Sequence, residues 1–253
     1  DGRWIGPVGP RQFVENRQLR DGSFLSVYNE LYHPANGANH ISIFLSPLLN
    51  SQGIVGVKAG KWTVRLHGQE VRDGKFDAWI ERDDPVRVGV ADNREAWRFP
   101  SYLSERSNVD DSSVGSLACG QRIISVANLD EARGRIHISS SQGPTRDGRS
   151  KPDVAAPGTG VVAARGFSAD PEKRWLAMTG TSMASPFVTG VVGLMLAKER
   201  QLTAAQVEGI IRRTARPLPG ADFRWANDAG FGQIDPEACI REAGLLFARE
   251  DRT

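Results

Sequence analysis

At 253 residues with 40% hydrophobic side chains, the chain is long enough to bury a sizeable core, as one large domain or two modest ones. Its 32 basic and 30 acidic residues leave a net charge of +2, which argues against a dedicated nucleic-acid or anionic-membrane surface, and no apolar run approaches the length of a membrane-spanning helix. Neither nucleic acid nor membrane is therefore expected as a partner. Two cysteines, Cys119 and Cys239, are too few for a disulfide framework. They read as free buried thiols or as a single bridge, and neither has the neighbours of a catalytic thiolate or a zinc site.

Residues 1–20, with Gly6, Pro7, Gly9 and Pro10 among mixed charges, carry no periodic signal and read as irregular chain. Short strand-like runs follow at 23–28, 41–45, 54–57, 62–66 and 76–81, separated by turn residues such as Asn36-Gly37, Ala59-Gly60 and Asp73-Gly74. Trp62, Val64 and Leu66 alternate with Thr63 and Arg65, and Phe76, Ala78 and Ile80 alternate with Asp77 and Trp79. Alternation marks strands with one buried face, so residues 1–90 are expected to form an antiparallel β-sandwich behind an irregular lead. Trp62 and Trp79 also raise a carbohydrate-binding role for this region, although both fit core positions of the strands. From Asp83-Asp84-Pro85 to about Pro100 the pattern dissolves into charged and turn residues, and a second domain, 91–253, is taken to begin there.

In that second domain 112–118 reads as a loop, 123–127 as a short apolar strand of a parallel sheet, and 161–164 as another strand. Further on, Gly180-Thr181-Ser182-Met183-Ala184-Ser185-Pro186 runs into the apolar segment Phe187 to Ala197. Phe187, Val188, Val191, Val192, Leu194, Met195 and Leu196 cover nearly all directions of a helical wheel, so this helix is expected to be buried on most sides. Gly180 allows close approach of backbone to a ligand, and Pro186 is placed in the first turn, where a missing N–H is tolerated. A serine at the mouth of such a helix feels the positive end of its dipole and its free N–H groups, which favour the negative charge that develops when a hydroxyl attacks a carbonyl. Serine is also a preferred N-cap, and the triplet Gly180-Thr181-Ser182 by itself fits either role. Downstream, Thr203 and Gln206 form a capping box with Leu202 and Val207 as its hydrophobic staple, so a helix is expected over 204–214 with Val207, Ile210 and Ile211 facing inward. A third helix begins near Pro236, and the polar tail from about Arg249 is expected to fray.

The seven residues from Gly180 to Pro186 match G-T-S-M-A-S/T-P, the nucleophile motif of subtilisin-like serine peptidases (subtilases). The segment from Gly148 to Gly158, with Lys151-Pro152-Asp153-Val154 and Ala156-Pro157-Gly158, resembles the K-P-D-I/V-x-A-P-G that precedes the nucleophile in that family. Gly230-Phe231-Gly232-Gln233-Ile234-Asp235 resembles the G-Y/F-G-x-V/I-D/N that closes the fold, and Ile138 to Pro144 resembles I/V-S-x-F-S-x-x-G-P with serine in place of the aromatic. The resemblance covers roughly residues 100–245. It implies an α/β fold, the C-terminal part of a parallel-sheet domain, with Ser182 as nucleophile and Gly180, Thr181 and Met183 positioning it. The tryptophan-bearing segments 59–68 and 73–80 are similar to the hairpin of jelly-roll modules attached to subtilases, here placed before the nucleophile as an insertion.

A serine needs a base, and the family supplies a histidine oriented by an aspartate, both upstream of the serine in the chain. No D-S/T-G or H-G-T-x-V/C-A-G occurs here, and the oxyanion asparagine in its A-A/S-G-N context is also missing; Asn108 has roughly suitable spacing but no matching strand before it. His67 ends an expected sandwich strand, His33 and His40 flank a turn, and His137 precedes a strand. The expectation is therefore that Asp, His and Asn lie upstream of Asp1 in the same peptidase, that peptide or protein is the substrate, and that the isolated chain is inactive. The alternative is a pseudopeptidase or protein-binding scaffold, against which an intact nucleophile motif argues. Calcium stabilises many subtilases, yet no D-x-D/N-x-D/N-G loop appears, and Asp83-Asp84 and Asp110-Asp111 read as solvated turns, so no cofactor is assigned.

Overall fold

Side chains of residues 24–30 point alternately to two faces, and this period of two sets β2 (Phe24–Glu30) at the centre of a three-stranded antiparallel sheet, with Leu25 buried beneath it. The computed structural model describes residues 4–34, 37–50, 53–55, 57, 59–71, 74–81, 86–91, 94–98, 101–104, 111–167, 170 and 174–245. Asn108, Asp83, Asp84, Asp110 and the tail from Arg249 lie outside them. The chain divides into two compact units, Asp1–Phe76 and Asp77–Thr253.

In the first unit β1 (Phe13–Gln18) and β3 (His40–Ser46) flank β2, with Phe24↔Ser46 and Glu30↔His40 at the ends of the β2–β3 register. β1 falls in a stretch expected to be irregular. Its register shifts between Val14 and Arg17, where Asn16 takes a left-handed conformation (φ 49°), so the bulge breaks the alternation that would have disclosed the strand. Phe13 stacks on Tyr28 at 6.1 Å and Tyr28 meets Phe44 edge-on at 6.0 Å, which ties the three strands across one face. β4 (Leu48–Asn50) and β5 (Gly53–Val55) form a short hairpin. The segments 62–66 and 76–81 belong to no ladder, and Trp62, Val64, Leu66, Phe76, Trp79 and Ile80 are exposed. The buried face their alternation implies is therefore not formed, because a period of two stabilises a strand only where a neighbour accepts its hydrogen bonds.

The second unit contains a hairpin where sequence pattern faded, β6 (Val86–Ala91) with β7 (Arg94–Arg98), which is antiparallel with a bulge between Arg87 and Gly89. Its centre is the sheet β10-β8-β9: β8 (Val126–Asp130) runs parallel to β10 (Val154–Pro157), and β9 (Arg135–Ile136) is antiparallel to the end of β8. The outer edge of β10 is closed by chain returning from the C-terminal region: Ala155 donates to the Gly232 carbonyl at 2.8 Å and Ile234 donates to that of Ala155 at 2.9 Å. β11 (Val161–Ala164) and β12 (Trp175–Met178) form a separate hairpin leading to α1 (Thr181–Lys198), followed by α2 (Ala204–Thr214) and α3 (Pro236–Leu245). α1 lies on β8 and β10 and against α3, giving the α/β arrangement expected for this part of the chain.

Two features of the helices bear on the site. α2 begins with the expected capping box: Gln206 donates its backbone N–H to Thr203 Oγ1 at 3.3 Å, and Thr203 returns its N–H to Gln206 Oε1 at 2.8 Å. α1 is apolar on all sides but buried along one stripe only, Ala184, Val188, Val191 and Met195, whereas Phe187, Leu194 and Leu196 are exposed. The expectation of burial on most sides is corrected here, since among the described residues the helix is covered only by one sheet face and α3. Pro186 also sits a turn deeper than expected. The helix starts at Thr181, so Pro186 falls in its second turn and leaves the Ser182 carbonyl without the usual N–H donor four residues on.

Candidate active site

The site is built by β10, the turn after it and the first turn of α1. A buried ion cluster fixes the approach to β10. Asp153 has no exposed surface and accepts from the Ser125 N–H and Lys151 Nζ, both at 2.6 Å, and from Arg212 Nε at 3.2 Å and Nη2 at 2.5 Å. Lys151, 3% exposed, also donates to the Ile123 carbonyl. Each buried charge thus has an opposite partner, the condition under which such groups are tolerated in a core. The same carboxylate joins the residues just before β8 to the start of β10 and, through Arg212, to α2.

Beyond β10 the chain passes directly under the start of α1. Gly180 donates its N–H to the Gly158 carbonyl at 2.9 Å, and Gly160 donates to Thr179 Oγ1 at 2.9 Å. Gly158 has no room for a side chain: a Cβ there would lie 2.6 Å from Asn128 Oδ1, 2.8 Å from the Gly180 carbonyl oxygen and 3.0 Å from the Ala184 Cβ. A Cβ at Gly180 would meet no protein atom closer than 3.8 Å, so within the protein the tight contact is at Gly158.

Ser182 is the second residue of α1 and is exposed. The N-cap is Gly180, with extended backbone and no side-chain capping bond, so Ser182 is not a cap. Its hydroxyl makes no hydrogen bond to any described residue. The Met183 and Ala184 N–H groups both turn back to the Gly180 carbonyl, at 3.0 and 3.4 Å, while those of Thr181 and Ser182 have no acceptor among the described residues. An exposed hydroxyl beside two open N–H groups at the positive end of an 18-residue helix is arranged to hold developing negative charge. Thr181 is exposed and Met183 half-buried beside it.

Among the described residues of the second unit, no histidine hydrogen-bonds Ser182. The His137 ring is engaged with Ser139, whose hydroxyl lies 2.8 Å from Nδ1. His33, His40 and His67 belong to the first unit, where the His33 and His40 rings meet edge-on at 5.3 Å and His40 lies 3.5 Å from Glu30. Cys119 and Cys239 are both free thiols; burial pushes the Cys239 thiol above its ordinary range. Among the described residues no group of three or more His, Cys, Asp or Glu converges as a metal site, so the donor set for a calcium ion is not found among them.

Asn128 escaped the sequence reading. It is fully buried in the middle of β8, its Oδ1 accepts from Thr159 Oγ1 at 3.1 Å, and its Nδ2 has no partner among the described residues. No local signal marks it, because its neighbours come from segments remote in the chain.

The chain belongs to the subtilase family, whose profile matches residues 92–232. It is 36% identical to thermitase of Thermoactinomyces vulgaris over 210 residues, which are 81% of this chain and 68% of thermitase. It is 26% identical to the serine protease AprX of Bacillus subtilis (strain 168) over 175 residues, 63% of this chain. Among solved structures it resembles the Clostridium perfringens CspB protease with a TM-score of 0.58 and 18% identity over 92% of this chain and 45% of that one, a likeness of fold. The chain spans 39% of the length of AprX and 16% of that of the extracellular protease of Xanthomonas campestris pv. campestris, to which it is 36% identical over 94 residues.

Proposed function

We propose that the protein carrying this chain is a subtilisin-like serine endopeptidase that hydrolyses peptide bonds through an acyl-enzyme on Ser182. The observation that carries this reading is the exposed, uncapped Ser182 hydroxyl beside the open N–H groups of Thr181 and Ser182 at the start of α1. Ser182 Oγ attacks the scissile carbonyl of a peptide or protein substrate while a histidine takes its proton and later returns it to the leaving amine. The Ser182 N–H holds the resulting oxyanion together with an asparagine amide. Gly180, Thr181 and Met183 set the direction of the serine.

The histidine, the aspartate that orients it and the asparagine come from outside these 253 residues, in a preceding part of the same polypeptide. Two observations support this: no histidine hydrogen-bonds Ser182, and the apolar residues Phe187, Leu194 and Leu196 of α1 are left uncovered among the described residues. Residues 1–90 are read as an all-β module, without the sandwich face expected at 62–66 and 76–81, and 91–253 as the C-terminal part of the peptidase, a division supported by the β1–β3 sheet and by a family match that starts at residue 92.

Labelling with a fluorophosphonate probe, read by mass spectrometry with Ser182→Ala as control, tests the reading. The full-length protein is expected to carry one adduct, on Ser182, and the 253-residue chain alone none. An unlabelled full-length protein would leave a scaffold in place of a peptidase, and a labelled 253-residue chain would place the base among His33, His40, His67 and His137.

A further inference from the structure

β8 is apolar on either side of one residue. Val126, Ala127 and Leu129 suit a strand packed between layers, and Asn128 between them does not. Its backbone is already clamped, with its N–H donated to Ser140 Oγ at 3.0 Å and its carbonyl accepting from His137 at 2.8 Å, so the strand needs nothing from the side chain. An alanine would fill the position without burying an amide. Yet the amide is there, fully buried, with one half bonded to Thr159 and the other half unpaired among the described residues. Burying an amide group without a partner is unfavourable, so packing alone does not account for the residue.

The surroundings show what it supports. The Asn128 oxygen, the Gly180 carbonyl and the Ala184 methyl all converge on the Cα of Gly158. The Thr159 hydroxyl bonded to Asn128 belongs to the residue next to Gly158, whose carbonyl receives the Gly180 N–H. A continuous line of contacts therefore runs from Asn128 through Thr159 and Gly158 to Gly180, the residue whose carbonyl takes the N–H groups of Met183 and Ala184.

We infer that Asn128 and Thr159 are positioning residues for Ser182: their hydrogen bond holds the Gly158–Thr159 segment against Gly180 and so sets the direction in which the first turn of α1 presents its nucleophile and N–H groups. The inference rests on the peptidase reading above. Both side chains act through the backbone of Gly158, where the packing leaves no slack.

Thr159→Val in the full-length protein keeps the shape of the side chain and removes only the hydroxyl, and Thr159 is not fully buried, so the fold should survive. A displacement of the order of 1 Å at a reacting group costs about 100-fold in rate. The expected result is a fall in kcat of about 10- to 100-fold with KM changed less than about threefold, a parallel fall in the rate of fluorophosphonate labelling at Ser182, and a nearly unchanged melting temperature. Thr159→Ser, which restores the donor, is expected to recover most of the rate. A structural role alone would lower the melting temperature and leave kcat of the folded enzyme untouched. A Thr159→Val enzyme with wild-type kcat, or a Thr159→Ser enzyme no better than Thr159→Val, overturns the positioning role while the wild-type label at Ser182 keeps the peptidase reading. A wild-type protein that takes no label overturns both.

Discussion

Asp147 shows how one exposed carboxylate can organise a turn. Its oxygens accept from Arg149 Nε at 2.8 Å and from Thr145 Oγ1 at 2.5 Å, and Arg149 reaches on to the Cys119 carbonyl at 2.6 Å. The hydrogen bonds from Arg149 first, then from Thr145, hold the Asp147 carboxyl down at about 2, against an ordinary value of 3.8. A carboxylate whose pKa is depressed in the fold contributes stability that is complete above the unfolded value and is lost as pH falls through the folded one. The contribution of the Thr145–Arg149 turn should therefore vanish between about pH 4 and pH 2. Melting temperatures taken across that window are expected to fall more steeply for the wild type than for Asp147→Asn, and equal slopes would show that the turn does not depend on the charge. At this scale the sequence was uneven in what it disclosed. The expectation for Ser182 could be formed because seven adjacent residues carry its context. Asn128 was not, because its partner Thr159 is 31 residues away and Gly180 lies further still, and only folding brings them together.

The elements are joined at the site by one buried charge. Asp153 stands just before β10 and Arg212 on α2, so their pairing fixes the helix to the strand whose end lies against the nucleophile turn. Asp153→Ala would leave Lys151 buried at 3% exposure without its counter-charge, and breaking a buried pair in this way costs about 3–5 kcal/mol. Urea unfolding followed by circular dichroism should register that loss, and a change below about 1 kcal/mol would mean that the cluster is relieved by water or rearrangement. Helices were easier to read than strands. α2 carries its start signal within four residues, and the capping box forms as the sequence implies. Strands depend on partners that the sequence does not name: β1 was hidden by its bulge, the hairpin β6–β7 by its charges, and the alternating runs at 62–66 and 76–81 form no ladder at all.

For the molecule as a whole, the surface of α1 bears most directly on the proposal that a further part of the polypeptide covers it. Phe187, Leu194 and Leu196 are 41, 56 and 38% exposed on a helix that has almost no polar side to offer water. The 253-residue chain alone is expected to bind an anilinonaphthalene sulfonate dye, with the signal reduced by Leu194→Glu, whereas the full-length protein should bind little. Equal dye binding by the two forms would mean that the rest of the polypeptide does not cover this face. The family was legible from three motifs in the right order, and the α/β arrangement followed from it. The exposure of Phe187, Leu194 and Leu196 was not legible, since the apolar residues of α1 described a helix covered on most sides.

Pro186 gives α1 a mechanical character of its own. A regular helix behaves as a stiff rod because every turn is tied to the next, and here the tie is absent at the carbonyl of the nucleophile itself. The opening turn is thus tied to the rod by one bond fewer than in a regular helix. Aim is then set from below, by the glycine contact with β10, while the rod behind serves as the mounting.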